Sequence, residues 1–375
     1  MMSLSSKRRA SMGKKIKLFD PSVDIEELQV TQQVLKSHFW ASGAGIGYVK
    51  KFEDSFKKYI DSNDCIAVNS GTAALNLALS LMDLKGKEVI VPSLTFVATI
   101  NAILLNGGKP VFVDVEPHTM CIDSNQIEKL ITKKTKVILP VHYAGMPCSL
   151  DKIEQICKKN DLVLIEDAAH AVGAKFMGKR IGSHGIIVCF SFHPVKNLAM
   201  PTGGLIAIND SGHLKMRDVL LARRWCGITN RNNFGYDVKE AGWNYYMNEI
   251  SAAIGLVQLK KLDAMNSIRR QIAKRYSKEI KLEGKMPFDD NCSYHLYWIM
   301  VKNRKRFMEK MFNAGIETGI HYRPVHTMSL YKKNVSLPMT ETAGKEIVSI
   351  PVHQNLSDTK VDRIIRRTGR SGFPR

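Results

Sequence analysis

Three groups of residues have the types and spacing to do chemistry together. Lys196 lies four residues past an apolar run, Ile186–Phe192, that predicts a buried strand. A second apolar run, Leu162–Glu166, leads into Asp167. Earlier, Asn69-Ser-Gly-Thr-Ala-Ala74 opens an apolar helix, with Ser70 or Thr72 as a natural cap. The lysine can form an imine and shuttle a proton, which requires a neutral amine favoured by burial. The aspartate, at the carboxyl end of a strand, is placed to keep a pyridine nitrogen protonated. The exposed amides of Gly71, Thr72 and Ala73, aided by the helix dipole, are placed to bind a phosphate. This set of groups is what pyridoxal 5'-phosphate needs. Ser191 is placed to bond the same phosphate, and Phe96 either stacks on the ring or packs in the core. His170 either backs the ring or its phenolic oxygen, as a candidate catalytic group, or is a buried structural histidine.

The elements that must position these groups alternate. Strand-like runs are Glu88–Val91, Pro110–Val115, Lys136–Val141, Leu162–Glu166, Ile186–Phe192 and Leu205–Ile208. Helical spacing covers Phe96–Asn106, Ser124–Thr132 and Leu150–Lys159 between the first four. The alternation predicts an α/β fold with a mostly parallel mixed sheet and helices on both faces. Only eleven residues, His193–Gly203, join the last two strands, too few for a crossover helix, so those strands should run antiparallel. Helices are expected over Asp24–Ser37, Val49–Ile60, Asn248–Leu262 and Ala264–Ile280. The cluster Gly43-Ala-Gly-Ile-Gly47 follows no apolar strand and is read as a turn, not a dinucleotide loop. After Gly284 a strand near Tyr294–Val301 and a helix near Arg304–Asn313 belong to a smaller C-terminal α+β domain. The expected division is a basic flexible arm over 1–17, a large domain over 18–264 and a small domain with a basic tail over 265–375.

Composition narrows the class. At 375 residues and 44% hydrophobic content the chain can bury a large core. No run of 18 uncharged apolar residues appears, so no membrane partner is expected. Seven scattered cysteines without a Cys-x-x-Cys pair point to reduced thiols and a cytoplasmic location. Of the net charge of +20, eleven charges fall on residues 1–17 and 363–375. These ends read as poorly ordered tails, and no specific nucleic-acid partner is expected. The moderately basic remainder suits an anionic cofactor and substrate. In His321-Tyr-Arg-Pro-Val-His326 the proline breaks any helical histidine face, so no metal site is expected.

Several motifs together resemble one family. Val68-Asn-Ser-Gly-Thr-Ala-Ala74, Glu88-Val-Ile-Val-Pro-Ser-Leu-Thr-Phe-Val-Ala-Thr99, Pro140-Val-His142, Glu166-Asp-Ala-Ala-His-Ala171, Phe190-Ser-Phe-His-Pro-Val-Lys-Asn197 and Gly242-Trp-Asn-Tyr-Tyr-Met247 are similar to the DegT/DnrJ/StrS sugar aminotransferases. The likeness spans about residues 17–360. It implies the aspartate-aminotransferase-like transferase fold, type I, and a homodimer with shared active sites. It implies transfer of an amino group, usually from glutamate, to a keto sugar that is usually nucleotide-linked, in surface-polysaccharide or amino-sugar biosynthesis. By motif position Lys196 is the imine-forming lysine and Asp167 the pyridinium partner. Ser191 and the Gly71-Thr72-Ala73 turn form the phosphate site, and Phe96 is the stacking residue. Asn244 matches a position that reaches the phosphate of a partner subunit; Tyr322 and His326 match a substrate-side loop. The stretch Ala199-Met-Pro-Thr-Gly-Gly204 departs from the Thr-Thr-Gly-Glu-Gly-Gly common in the family, with Thr202 at the glutamate position.

Two rivals are weighed against this reading. A sugar dehydratase of the same family carries histidine in place of the lysine, which Lys196 opposes. A non-catalytic regulatory protein would have no use for a full set of cofactor groups.

Overall fold

In the computed structural model, residues 15–369 are described. Two N-terminal helices, α1 (Ile25–Ser37) and α2 (Tyr48–Ile60), precede strand β1 (Asp64–Val68). Asp24 and Glu27 close α1 with a reciprocal capping box. The alternating part follows as α3 (Gly71–Ser80), β2 (Glu88–Pro92), α4 (Val97–Leu105), β3 (Lys109–Val113), β4 (Thr135–Ile138), α5 (Leu150–Lys159) and β5 (Val163–Asp167). Next come β6 (Ile187–Ser191), β7 (Gly204–Ile208) and α6 (His213–Arg224).

These seven strands form one sheet in the order β1-β7-β6-β5-β4-β2-β3. β3, β2, β4, β5 and β6 pair in parallel, and β7 runs antiparallel to both β6 and β1. The eleven-residue link therefore makes the reversed strand that its length requires. Neighbouring residues on a strand serve opposite faces: Cys65 and Ala67 join one apolar cluster, Ile66 and Val68 the other. Both faces are covered, which is why the parallel strands read as continuous apolar runs rather than alternating ones.

Four expectations change. β1 was not distinguished in sequence, since its five residues begin at a polar Asp64 and end in a polar loop. The helix expected over Ser124–Thr132 is two short 3-10 turns, Ser124–Gln126 and Glu128–Leu130. Only Ile127 is fully buried there among its apolar residues, too little apolar face to hold a regular helix. The two helices expected over Asn248–Leu262 and Ala264–Ile280 are one, α7 (Glu249–Glu279), 31 residues long. No Gly or Pro interrupts it at the proposed break, and Asp263 there pairs outward with Arg180. The proposed boundary at 264/265 thus falls inside a single helix.

The fourth concerns the chain ends. After a short hairpin of β8 (Ile228–Asn232) and β9 (Gly235–Val238), the C-terminal part pairs β10 (Tyr297–Met300) with β11 (Ile347–Ile350). Helices α8 (Arg304–Asn313), α9 (Pro338–Glu346) and α10 (Asp358–Gly369) complete it. Arg363, Arg366 and Arg367, expected in a loose tail, lie on α10, whose Val361, Ile364 and Ile365 are buried. At the other end Ile16 is buried and bridges Ile316, so residues 15–17 belong to the fold. Residues 1–14 and 370–375 lie outside the described residues.

Candidate active site

A cavity of about 390 Å³ opens where the carboxyl ends of β5 and β6 meet the start of α3 and the segment around Tyr322. This is the edge of an α/β sheet at which ligands bind.

One end is built from backbone. Ser70 caps α3, its Oγ accepting from the amide of Ala73 at 3.1 Å. That leaves the first-turn amides of Gly71 and Thr72 facing the cavity, both residues lining it. Ala73 is not among the lining residues, because its amide is turned to Ser70. A Cβ on Gly71 would stand 2.6 Å from the Cβ of Ser191, so only glycine lets the helix start approach the end of β6. Ser191 lines the cavity beside it. Amides, a hydroxyl and a helix N-terminus form an anion cradle of the right kind for a phosphate.

Asp167 ends β5 and is buried. Its Oδ2 accepts from the Thr99 hydroxyl at 2.8 Å and its Oδ1 from the Ala169 amide at 3.1 Å. Thr99 in turn meets Thr95 at 2.9 Å. Burial raises the Asp167 carboxyl above its ordinary value, opposed by the Ala169 amide, the Thr99 hydroxyl and the charge of Lys196. A buried carboxylate held by donors, with a cation-seeking oxygen on a cavity wall, fits a pyridinium nitrogen.

Lys196 follows β6 in a tight turn, its amide donating to the His193 carbonyl at 2.8 Å. The next residue, Asn197, is buried and fixes the turn, donating to Asn266 of α7 and to the Ser293 carbonyl at 2.8 and 2.7 Å. Part of Lys196 remains accessible from the cavity, yet burial of its amine lowers the pKa to about 8, opposed by Asp167. His170 accepts from the Ala144 amide at Nδ1, 3.2 Å, so its proton sits on Nε2, 3.1 Å from the Tyr322 hydroxyl. Burial, with the charge of Lys196, keeps this imidazole neutral well below its ordinary pKa.

The structure therefore brings Gly71, Thr72, Phe96, Asp167, His170, Ser191, Lys196 and Tyr322 to one cavity. Phe96, just before α4, is 54% exposed and lies 5.9 Å from the Tyr322 ring. Besides Ala73, His326 and Asn244 do not line it, and Asn244 was expected to serve a partner subunit's phosphate site. His326 is turned into the core by the 3-10 turn after Pro324, its Nδ1 2.7 Å from the Ser93 hydroxyl. Asn244 is exposed and does not line this chain's cavity. Sequence reasoning missed Thr99 and Phe19, which line the cavity, as does Thr202, noted in sequence only as a departure from the family motif. Thr99 was within reach, one helical turn from Thr95 on a helix already placed at the site. Thr202 hydrogen-bonds the Asn69 carbonyl, tying the divergent loop to the start of α3. Phe19 enters from the distant N-terminal segment, and nothing local marks it.

A mostly parallel sheet with one reversed strand, with a lysine past β6 and an acid ending β5, defines the aspartate-aminotransferase-like class, fold type I. A model of the DegT/DnrJ/EryC1/StrS aminotransferase family matches residues 21–368, and the chain belongs to that family. The protein MJ1066 of Methanocaldococcus jannaschii is 35% identical over 369 residues, covering 92% of this chain and 95% of that one. Helicobacter pylori PseC, an aminotransferase involved in the biosynthesis of pseudoaminic acid, is similar in structure with a TM-score of 0.89 at 28% identity; 95% of this chain and 98% of that one are covered. The sugar aminotransferase Spr1654 of Streptococcus pneumoniae has been solved in a PLP form, with a TM-score of 0.89 at 28% identity over 95% of this chain and 98% of that one. The present chain is a pyridoxal-phosphate-dependent sugar aminotransferase. No helix among its described residues is long and apolar enough to cross a membrane.

Proposed function

We propose that the enzyme moves an amino group from an amino acid, glutamate in the first place, to the ketone of a nucleotide-linked sugar. The product would enter amino-sugar or surface-polysaccharide biosynthesis in the cytoplasm. The observation that carries the reading is the placement of a half-buried Lys196, with its amine poised near pH 8, on the same cavity as Asp167 and the α3 amides.

When bound, pyridoxal phosphate supplies an aldehyde that carries the amino group and a ring that accepts electrons from the α-carbon. The amides of Gly71 and Thr72 and the Ser191 hydroxyl bind its phosphate. Asp167 holds a proton at the ring nitrogen, and Thr99 with the Ala169 amide fixes the carboxylate in the orientation that does so. Phe96 would pack against the ring. The Lys196 amine would hold the cofactor and, as a general base near neutral pH, would move a proton to and from the substrate α-carbon. His170, donating to Tyr322 from Nε2, orients that phenol toward the substrate side.

The family resemblance supports a homodimer in which Asn244 reaches the partner's phosphate site. The exposure of Asn244 and of Phe234 and Tyr236 on the β8–β9 hairpin agrees with this. His326, buried against Ser93, supports the loop that carries Tyr322 rather than touching substrate.

The test is incubation of the purified enzyme with pyridoxal phosphate, L-glutamate and a panel of nucleotide-linked keto sugars. Mass spectrometry should find one sugar with its C=O replaced by CH–NH2 and an equivalent of 2-oxoglutarate. Amination of free keto sugars alone would remove the nucleotide from the reading. Loss of water from the sugar without amination would favour the dehydratase rival.

A further inference from the structure

One side chain reaches Lys196 from outside the cavity wall. His295 lies in the stretch leading into β10, 2% exposed, with its Nε2 3.4 Å from the Lys196 Nζ. Its other nitrogen, Nδ1, is buried and has no hydrogen-bond partner among the described residues. Phe19 stacks on the imidazole at 5.5 Å and 18°, and the His170 ring lies 4.5 Å away. The ring is thus clamped in place by apolar and aromatic contacts while its protonation pattern is left free.

Most buried side-chain polar atoms have a hydrogen-bond partner. His295 has an unpaired ring nitrogen in common with His184 and His353, but alone of the three sets its other nitrogen against Lys196. Ordinarily the bond made by one nitrogen decides which tautomer the other presents. Here nothing fixes that choice. A lysine ammonium has donors only, whereas the neutral amine offers a lone pair. A histidine locked in one tautomer would serve one of these states and oppose the other. We infer that His295 is the positioning residue of the Lys196 amine: Nε2 accepts from the ammonium and donates to the neutral amine, holding the nitrogen at one place through the reaction cycle.

The surrounding charges agree with this role. Lys196 is faced by Asp167, His170, His193, His295 and His321; His295 is faced in addition by Arg269 from α7. Burial and the neighbouring cations hold His170, His295 and His321 below their ordinary pKa, His321 down to about 4, so the imidazoles are neutral at physiological pH. A neutral ring is what tautomer exchange requires. The Arg269 Nη groups donate to the Val352 carbonyl and Gln354, at 2.6 and 3.0 Å, and no hydrogen bond joins Arg269 to the ring nitrogen among the described residues.

The inference rests on Lys196 being the reacting amine, and the test separates the two. In the full chain free of cofactor, Lys196 is labelled with fluorodinitrobenzene across pH and quantified by mass spectrometry, and turnover is measured separately on the loaded enzyme. Charge-assisted hydrogen bonds are about twice as strong as neutral ones, so His295→Phe should move the labelling midpoint down by about one pH unit. Its kcat should fall roughly tenfold with KM nearly unchanged, the pattern of a group that acts on the chemical step. His295→Gln, whose amide can accept and donate at the same reach, should restore most of the midpoint. An unmoved midpoint in His295→Phe, or equal shifts in the Phe and Gln variants, overturns the role. Should the Phe variant not fold, His295→Leu serves the same arm. Turnover by Lys196→Ala would instead remove the parent reading, whatever the labelling shows.

Discussion

Replacing Thr99 by Val removes one hydroxyl and keeps the side-chain volume. Thr99 is buried, and its Oγ1 gives Asp167 one of the two hydrogen bonds that its carboxylate receives from the described residues. A hydrogen bond to a charged group is worth about 1.5–3 kcal/mol net. Each 1.36 kcal/mol lost from the transition state is about a factor of ten in rate. The Asp167 carboxyl, already raised by burial, loses a donor that lowers it and becomes easier to protonate. A neutral acid cannot hold the proton on a ring nitrogen as a counter-ion, so the loss falls on the chemical step. The expected result is a drop of about 10- to 100-fold in kcat/KM for Thr99→Val, with most activity recovered in Thr99→Ser. Turnover is followed as 2-oxoglutarate released from glutamate in the presence of the keto sugar. Circular dichroism and cofactor absorbance would establish that fold and loading are kept. A Val variant within about twofold of the parent, folded and loaded, would refute the argument that Thr99 holds the pyridinium partner.

Other expectations follow from the same geometry. Asp167→Asn should keep the fold and lose most turnover, since an amide cannot retain the ring proton; near-normal kinetics would move that role to another residue. Lys196→Ala should abolish transamination, checked by the absence of 2-oxoglutarate. In the cofactor-free protein Lys196→Met should raise Tm at pH 7: the folded amine titrates near 8 and the unfolded one near 10.5, so below pH 8 the fold carries the whole penalty of a buried ammonium. Between those values the unfolded chain binds more protons, the parent gains stability as pH rises, and the gap should close by about pH 10.5; a gap that widens with pH contradicts the burial argument. Cutting the chain after residue 362 should lower stability by about 3–6 kcal/mol, because Ile364 and Ile365 leave the core and each buried aliphatic side chain is worth about 1.5–3 kcal/mol. Urea unfolding of the two chains measures it, and an unchanged midpoint would return this segment to a dispensable tail.

What was legible in sequence was local. Apolar runs over β2 to β7 announced buried strands because both faces of the sheet are covered, and the eleven-residue link between β6 and β7 announced the reversed one. Lys196, Asp167 and Gly71 were legible because each stands at the end or start of an element that patterning locates. The chain ends misled because charge was read without periodicity: Ile364, Ile365 and Val361 sit at helical spacing among the arginines, and the apolar face of α10 outweighs its basic one. His326 misled because motif position carries no account of where Pro324 sends the chain.

The remainder was hidden because it depends on contacts between distant residues. α7 passes from the large sheet to the C-terminal part without interruption, and Asn266 on it bonds both the Val172 carbonyl and the side chain of Asn197. Asn197 is covalently next to Lys196, so the position of the amine is set from a helix about seventy residues away. The same helix carries Arg269, which ties the Tyr294 and Val352 carbonyls and so holds the strand start that presents His295. From the other end of the chain, Ile16 pairs with Ile316 and brings Phe19 onto the His295 ring. The cofactor end of the cavity is therefore made by local elements of the sheet. The surroundings of the amine are made by three segments that no sequence window contains, and Phe19→Ala, which removes one of the two rings packed on His295, tests the share of the N-terminal one.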